Sequence, residues 1–305
     1  MNRAAVVVLI VAMLSGIMLA SGTGAAHAVT FDLPGELIAW SEADAIIPRK
    51  SVFQVLDPET GLVFNVQRRA GSAHADVQPL SKADTAMMKQ IYEGAWSWKR
   101  KAIIVLAGNR RLAASMHGMP HGGDGIPGNA FSGHFCIHFL GSTTHRSRAA
   151  DPAHQWMVHK AAGELDRYVA NLNPQEIVDS YIVALNQRDK SILQRLIAPD
   201  ATSELAKEEQ WLQDVVAARL VNEKKASKTK KQTKLPNPKT GTPGSLTDPD
   251  TSSLPGEVET LDHTLAIPIH VEKKGERPKR QSFVFTFVRA SVKSPWKIVK
   301  VERPS

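Results

Sequence analysis

The stretch NPQEIVDSYIVALNQRDKSILQRLIAPDA, residues 173–201, holds two helical patterns in succession. The apolar residues of the first pattern recur on one helical face, and those of the second do the same. They are Ile177, Val178, Tyr181, Ile182 and Leu185, followed by Ile192, Leu193, Leu196 and Ile197. Such faces pack against a core, so the stretch predicts two helices that open a domain.

The residues after this stretch predict the rest of that domain. A third helix is expected over 203–221, and strands rich in β-branched and aromatic residues are expected over 264–271, 281–290 and 296–301. Helices followed by an antiparallel sheet form an α+β layer. Between them, residues 222–256 are mostly Lys, Pro, Gly, Ser and Thr, which predicts a basic, disordered insert that acts as a connector.

The order of these elements carries a family resemblance. The phrase SYIVALNQRDKSILQRLIAPDA at 180–201 and the closing WKIVKVERP at 296–304 resemble the nuclear transport factor 2-like fold, an α+β cone, over residues 173–302. The resemblance implies a domain that docks a partner protein or spaces another domain, since such folds carry many functions.

The amino terminus predicts export. Residues 1–28 contain Arg3, an apolar run from Ala4 to Ala20 and a final Ala-His-Ala, the pattern of a signal peptide cleaved after Ala28. An uncleaved membrane anchor is the alternative, because the run approaches the length of a spanning helix. Cleavage would leave an N-terminal extension at 29–49 and a protein that is secreted or held at the cell envelope.

Charge points to the class of partner. The formal net charge is +8, which favours anionic surfaces such as cell-wall polymers. The basic excess is concentrated in the 222–256 insert, where no aromatic residues alternate with the lysines, so we expect no nucleic-acid partner.

Residues 50–169 have more strand patterns and fewer helical patterns than residues 173–302, and they predict a mostly-β domain with two helices. Strands are expected at 51–55, 62–67, 102–107, 111–116 and 134–140, and helices at 85–92, capped by Ser81, and 152–169, capped by Asp151. Trp96 and Trp98 alternate on a further possible strand.

The candidate chemistry of this domain centres on the strand His134-Phe135-Cys136-Ile137-His138. Because strand side chains alternate, the two histidines and the cysteine share one face and flank the thiol with imidazoles. A neighbouring histidine can take the proton of a thiol and lower its apparent pKa, which makes a nucleophile. Cys136 is the one cysteine of the chain, so no internal disulfide can form.

Two resemblances attach to these residues. Ser132 to His138, with His121-Gly122 or His117-Gly118 upstream, is similar to the cysteine strand of the L,D-transpeptidases, although Phe135 and His138 replace a glycine and an arginine. This likeness implies that Cys136 accepts the acyl group and that His121 or His117 is its base. The blocks at 74–80, 96–100, 118–121 and 133–145 resemble an exported bacterial domain often found beside peptidoglycan-binding modules, which implies location at the wall.

We therefore expect cysteine acyl transfer on peptidoglycan peptides, without a cofactor. The predicted catalytic residues are Cys136, His121, His134 and His138, and the predicted orienting residues are His74, Asp76, His117 and His145. One alternative is a zinc-dependent peptidoglycan hydrolase with zinc on His121, His134 and His138. The other is a wall-binding or assembly protein without catalysis.

Overall fold

The computed structural model describes residues 33–144, 148–221 and 261–304. The expected signal peptide at 1–28, the insert at 222–256 and His145 lie outside the described residues. Within the described part of the chain, no helix has the length and apolar character needed to cross a membrane. The fold is α+β, as expected, with a closed six-stranded barrel followed by a separate four-stranded sheet.

The barrel half contains six strands and four helices. They are α1 Trp40–Ile46, β1 Val52–Leu56, β2 Val63–Ala70, β3 Ala75–Pro79, α2 Lys82–Ile91, β4 Arg100–Ala107, β5 Arg110–His117, β6 Phe135–His138, α3 Pro152–Ala161 and α4 Leu165–Ala170. The strands pair antiparallel in the order β1-β2-β3-β6-β5-β4, and β1 closes the barrel on β4. The five strands expected at 51–55, 62–67, 102–107, 111–116 and 134–140 are confirmed within a few residues, and so is the Ser81 cap of α2, whose hydroxyl accepts from the Asp84 N–H.

Strand alternation divides the side chains of the barrel into two sets. Those of one parity fill the interior, where Phe135, Ile137 and Met116 are fully buried, each contributing roughly 1.5–3 kcal/mol. Residues 33–47, expected as an extension, pack on this barrel: Ile38 and Ile47 join its core. Side chains of the other parity point outward from the barrel.

The second half contains α5 Pro174–Gln187, α6 Lys190–Leu196, α7 Thr202–Asp214, β7 Val215–Leu220, β8 Leu261–Lys273, β9 Lys279–Arg289 and β10 Lys297–Glu302. Its antiparallel sheet has the order β10-β9-β8-β7. Asn173 and Glu176 form a capping box at the start of α5, with Pro174 at the first helical position.

Two predicted helices are wrong in extent. The helix expected over 203–221 ends at Asp214, and the next six residues form β7, because they pair with Ile269–Lys273 of β8 and tertiary pairing overrides the helical pattern. The helix expected over 152–169 is divided into α3 and α4. Gly163 has a positive φ of 68° between them, a conformation that ends a helix.

Helix α3 joins the two halves in one core. Its Trp156 and Met157 belong to a single apolar cluster with Ile104 on the outer face of β4 and Tyr181 of α5. The indole N–H of Trp156 donates to Ser180 Oγ at 2.8 Å. The barrel and the sheet therefore share a buried interior.

Candidate functional site

The site lies on the outer face of strands β3, β6 and β5. Asp76 pairs with Cys136 across β3 and β6, and Ser115 pairs with His138 across β6 and β5. Their sequence neighbours point into the barrel, so these four side chains point outward on one face. The same face is covered by α3, and Cys136 is only 5% exposed.

The loop between β5 and β6 brings His121 over this face. The backbone N–H groups of His121 and His134 each donate to the carbonyl of the other, at 2.9 and 2.8 Å. Two glycines permit this close pairing. Gly122 and Gly133 have φ of 67° and 110°, and a Cβ on either would lie within 2.4 Å of the His134 ring or the His121 carbonyl.

A chain of polar contacts links Cys136 to the backbone. The sulfur of Cys136 lies 3.4 Å from Nε2 of His121, and Nδ1 of His121 lies 3.0 Å from the Met119 carbonyl. A carbonyl only accepts hydrogen bonds, so Nδ1 is the donor and Nε2 is the nitrogen left to accept from the thiol. This is the order of nucleophile, base and orienting group that nucleophilic catalysis requires.

His117 has a different orientation from His121. Its Nδ1 accepts the Met119 N–H at 3.3 Å. Burial, with smaller effects from the nearby His121 and Arg100, lowers the pKa of His117 to about 2. Of the two histidines that the sequence left open as the base, His121 is the one whose ring nitrogen contacts the sulfur.

A carboxylate lies on the opposite side of the sulfur. Asp76 Oδ1 is 3.7 Å from Cys136 Sγ, 3.1 Å from Nε2 of His74 and 3.8 Å from Nε2 of His134. His74 is held in turn by a contact of 2.8 Å between its Nδ1 and the Thr143 carbonyl. Asp76 therefore connects the cysteine to two imidazoles.

The electrostatics of the thiol oppose the sequence-based expectation. Burial raises the pKa of Cys136, and the negative charge of Asp76 raises it further, against a weaker opposite effect of Arg100. The predicted lowering of this pKa is therefore wrong in direction, because a buried site with a carboxylate favours the neutral form. The resting sulfur is a thiol.

His138 lies in a column of three stacked imidazoles. Its ring is 4.5 Å from that of His74 and 3.8 Å from that of His154, nearly parallel to both. His154, on α3, contacts Ser115 Oγ through Nδ1 at 2.9 Å, and burial lowers its pKa well below the usual value. All three rings are at most 3% exposed.

Trp98 covers the exposed side of the site. Its ring centroid lies 4.7 Å from that of His117 and 5.4 Å from that of His121, and the residue is 50% exposed. The strand expected at Trp96 and Trp98 is wrong, because β4 begins only at Arg100. Because Trp98 precedes β4, its side chain is not fixed on one face of the sheet, and it lies over the two histidines.

Among the described residues, three groups of side chains have ligand atoms within 4.8 Å of one another, close enough to hold a metal ion. The groups are His74, Cys136 and His138; His117, His121 and Cys136; and Asp76, His134 and Cys136. Cys136 belongs to all three. The zinc set expected from the sequence, His121 with His134 and His138, is distributed among the three groups instead of forming one.

The structure brings together every predicted site residue that it describes, and it adds two. Ser115 and His154 were missed, although Ser115 lies two residues before His117 on the same strand face and His154 lies in the first turn of a capped helix. Strand parity could have identified Ser115. Neither a scan of protein-family models nor a search of curated proteins finds a match to this chain.

Proposed function

We propose that this chain is an exported, cell-wall-associated protein that transfers acyl groups on peptidoglycan peptides through Cys136, in the manner of the L,D-transpeptidases. The supporting observation is the contact of 3.4 Å between the Cys136 sulfur and Nε2 of His121, whose other ring nitrogen is fixed by the Met119 carbonyl. Metal ions are not needed for this chemistry, and the proposal includes no cofactor.

The proposed reaction begins from the neutral thiol. As the sulfur attacks a peptide carbonyl, His121 Nε2 takes the thiol proton, so an S–C bond forms and an S–H bond breaks. The tetrahedral intermediate then expels the peptide amine, which receives the proton from His121, and a thioester remains on Cys136. An acceptor amine or water attacks the thioester, and His121 accepts the proton of this nucleophile. The C–S bond then breaks and His121 returns the proton to the departing sulfur, which restores the thiol.

Asp76 keeps Cys136 protonated between turnovers in the proposed cycle. Because it raises the pKa of Cys136, the thiolate is not stored, and an exported thiol in this site is protected from oxidation. Deprotonation is instead coupled to attack, once a carbonyl is within reach of the sulfur. In this proposal His134 and His74 orient Asp76, and His138 fixes the floor of the site by stacking.

The second half is proposed to be a cone-like docking domain. Helices α5 and α7 pack against one face of the antiparallel sheet, with Tyr181 and Leu212 buried against it. The expected signal peptide and the resemblance of the first half to exported domains support the proposed location, with peptidoglycan or another anionic wall polymer as partner.

Intact-protein mass spectrometry tests the proposed function directly. The full mature chain is incubated with a disaccharide-tetrapeptide released from peptidoglycan, and a thioester adduct is expected on the wild type. The Cys136→Ser variant should carry no thioester, whereas His263→Gln, a change far from the site, should acylate normally. Absence of any adduct and of any transfer or hydrolysis product on the wild type would overturn the proposal and favour a non-catalytic wall-binding role.

A zinc-dependent hydrolase is the second candidate. It is favoured by one observation: Cys136 and six neighbouring side chains supply the N, S and O ligand types that zinc prefers, at suitable spacing. The site can fit one zinc ion, with Cys136 as a thiolate ligand. Metal analysis of the purified chain and activity after treatment with a chelator separate this candidate from cysteine catalysis.

A further inference from the structure

A cleft opens between the two halves of the chain beside the site. A cavity of about 370 Å³ is lined by Trp98, Lys99, Arg100, Gln187 and Arg188 among others. Two further cavities, of about 280 and 520 Å³, also have Arg100 and Gln187 in their walls. The three cavities therefore meet at the junction where the Arg100 N–H donates to Gln187 Oε1 at 2.9 Å.

The cavity nearest the site is basic, whereas the two adjoining cavities also have carboxylates in their walls. The wall of the cavity nearest the site contains three cations, Lys99, Arg100 and Arg188, and no carboxylate. Arg100 pairs with Asp151 at 2.6 Å, but within the described ranges no ion pair joins Lys99 or Arg188 to an acidic side chain. Two positive charges thus face the cavity without compensation, and low-dielectric walls strengthen their attraction for anions.

The cleft adjoins the proposed catalytic pair through Trp98. Trp98 lines it on one side, and on the other its ring contacts that of His121, whose Nε2 contacts the Cys136 sulfur. A ligand seated against Lys99 and Arg188 therefore extends toward the thiol past one aromatic side chain. An exposed tryptophan is also suited to packing against a peptide backbone or a sugar.

Arg188 is held in an unusual conformation. It follows the last residue of α5 with φ of 54° and ψ of 40°, the left-handed position where glycine is preferred. An arginine is strained in this conformation, because its Cβ comes close to the following carbonyl oxygen. Retained strain of this kind is concentrated at functional positions. Here the residue lines the cleft, and its guanidinium donates to the Val215 carbonyl at 3.4 Å.

We propose that this cleft binds the free carboxylate of the peptide substrate, so that the second half of the chain completes the substrate site through Arg188. The inference rests on the proposed acyl transfer at Cys136. An acidic peptide fits better than a long polyphosphate polymer, because the cavity is small and only Trp98 separates it from the proposed catalytic pair, where a peptide carbonyl is required.

Calorimetric titration of the full Cys136→Ser chain, which cannot form a thioester, tests the inference apart from catalysis. The probes are the disaccharide-tetrapeptide and the same compound with its carboxylates converted to amides. We expect the carboxylate form to bind at least about tenfold more tightly. Lys99→Gln and Arg188→Gly should each weaken its binding about tenfold, and the matched control Lys274→Gln, on an exposed loop, should not.

Each remaining outcome decides between the claims. Equal binding of the acid and the amide, or normal binding by both cleft variants, would overturn the inference even if wild-type protein still forms the thioester. Charge-dependent binding by Cys136→Ser together with no thioester on the wild type would remove the acyl-transfer function and leave the carboxylate cleft intact. Failure of the carboxylate probe to bind would also overturn the inference.

Discussion

Nε2 of His121 lies 3.4 Å from the sulfur of Cys136 at the end of a loop that is tied to β6 by backbone pairing with His134. The proposed base is therefore positioned by main-chain contacts, through Met119 on one side and His134 on the other. His117, four residues earlier, is held by different contacts although its ring is only 5.1 Å from that of His121.

Replacing His121 separates the two histidines by function. His121→Ala should lower the rate of acylation of Cys136 between about a hundredfold and ten-thousandfold, because general-base assistance is lost. His117→Ala should have a much smaller effect, since the pKa of His117 near 2 makes it a poor proton acceptor. Single-turnover acylation followed by mass spectrometry measures both, and equal losses would contradict the assignment of His121 as the base.

Removing the charge of Asp76 should make the thiol more reactive. Asp76→Asn takes away the Coulombic effect that raises the pKa of Cys136, so the thiolate fraction at pH 7.5 should rise roughly tenfold for each unit by which that pKa falls. The rate of alkylation by iodoacetamide is the measurement. Asp262→Asn, an exposed position on β8, is the control, and a slower rate in Asp76→Asn would refute the role given to the carboxylate.

The stacked and buried histidines should make the fold sensitive to acid. Burial lowers the pKa of His117 and of His154 in the folded state, so below about pH 6.5 the unfolded chain binds more protons than the folded one. The free energy of unfolding should then fall by about 1.4 kcal/mol per pH unit for each of the two histidines as the pH drops below 6.5.

Urea unfolding between pH 7.5 and 5 checks this slope. The variant His154→Gln removes one of the two groups and should reduce the slope, even if it lowers stability at pH 7.5. His263→Gln, on the exposed part of β8, should leave the slope unchanged. A flat stability profile in the wild type would contradict the burial of neutral imidazoles.

Relieving the strain at Arg188 should stabilise the fold. Arg188→Gly places the preferred residue at a φ of 54°, and we expect the free energy of unfolding to rise by up to about 1 kcal/mol. Chemical denaturation measures this change. Loss of stability would mean that the side chain of Arg188, which contacts the Val215 carbonyl at 3.4 Å, has a structural role instead.

The second half contains a buried ion pair, and removing one partner should lower the free energy of unfolding by a large amount. Glu208 is fully buried and accepts from Tyr181 Oη at 2.5 Å, and Arg303 pairs with it from the carboxyl end of the chain. Arg303→Met leaves the carboxylate buried without this partner and should cost roughly 3–5 kcal/mol. Adding Glu208→Leu should recover most of the loss.

Thermal and urea unfolding of the two Arg303 variants provide the measurement. Lys300→Gln, which removes a surface ion pair with Glu302, is the matched control and should change stability little. If Arg303→Met alone is as stable as the wild type, the buried pair does not hold the chain terminus.

Local patterns in the sequence predicted most of the strands and helices. Alternation predicted β1, β2, β4, β5 and β6, and the one-face relation of His134, Cys136 and His138 followed from it. The pairing of β1 with β4, which closes the barrel, joins residues some 50 positions apart and has no local signal. The strand β7 was missed because its pattern continues that of α7, and only its partner β8 distinguishes the two structures.

The sequence predicted which residues lie together at the candidate site, but it did not predict the raised pKa of Cys136. Residue types and spacing indicated the cysteine, Asp76 and the surrounding histidines. The raised pKa of Cys136 depends on α3 covering the barrel and on Asp76 lying opposite the sulfur in the β3–β6 register. Both are long-range relations, as is the contact of His154 with Ser115.

The shared core around Trp156 limits how this chain can be divided. A fragment that ends before α5 would leave Trp156 and Met157 facing water in place of Tyr181 and its neighbours, and its barrel would have an unfinished outer wall. The half that contains the candidate site is therefore not expected to fold as an isolated fragment. Studies of that site require the chain that includes both halves.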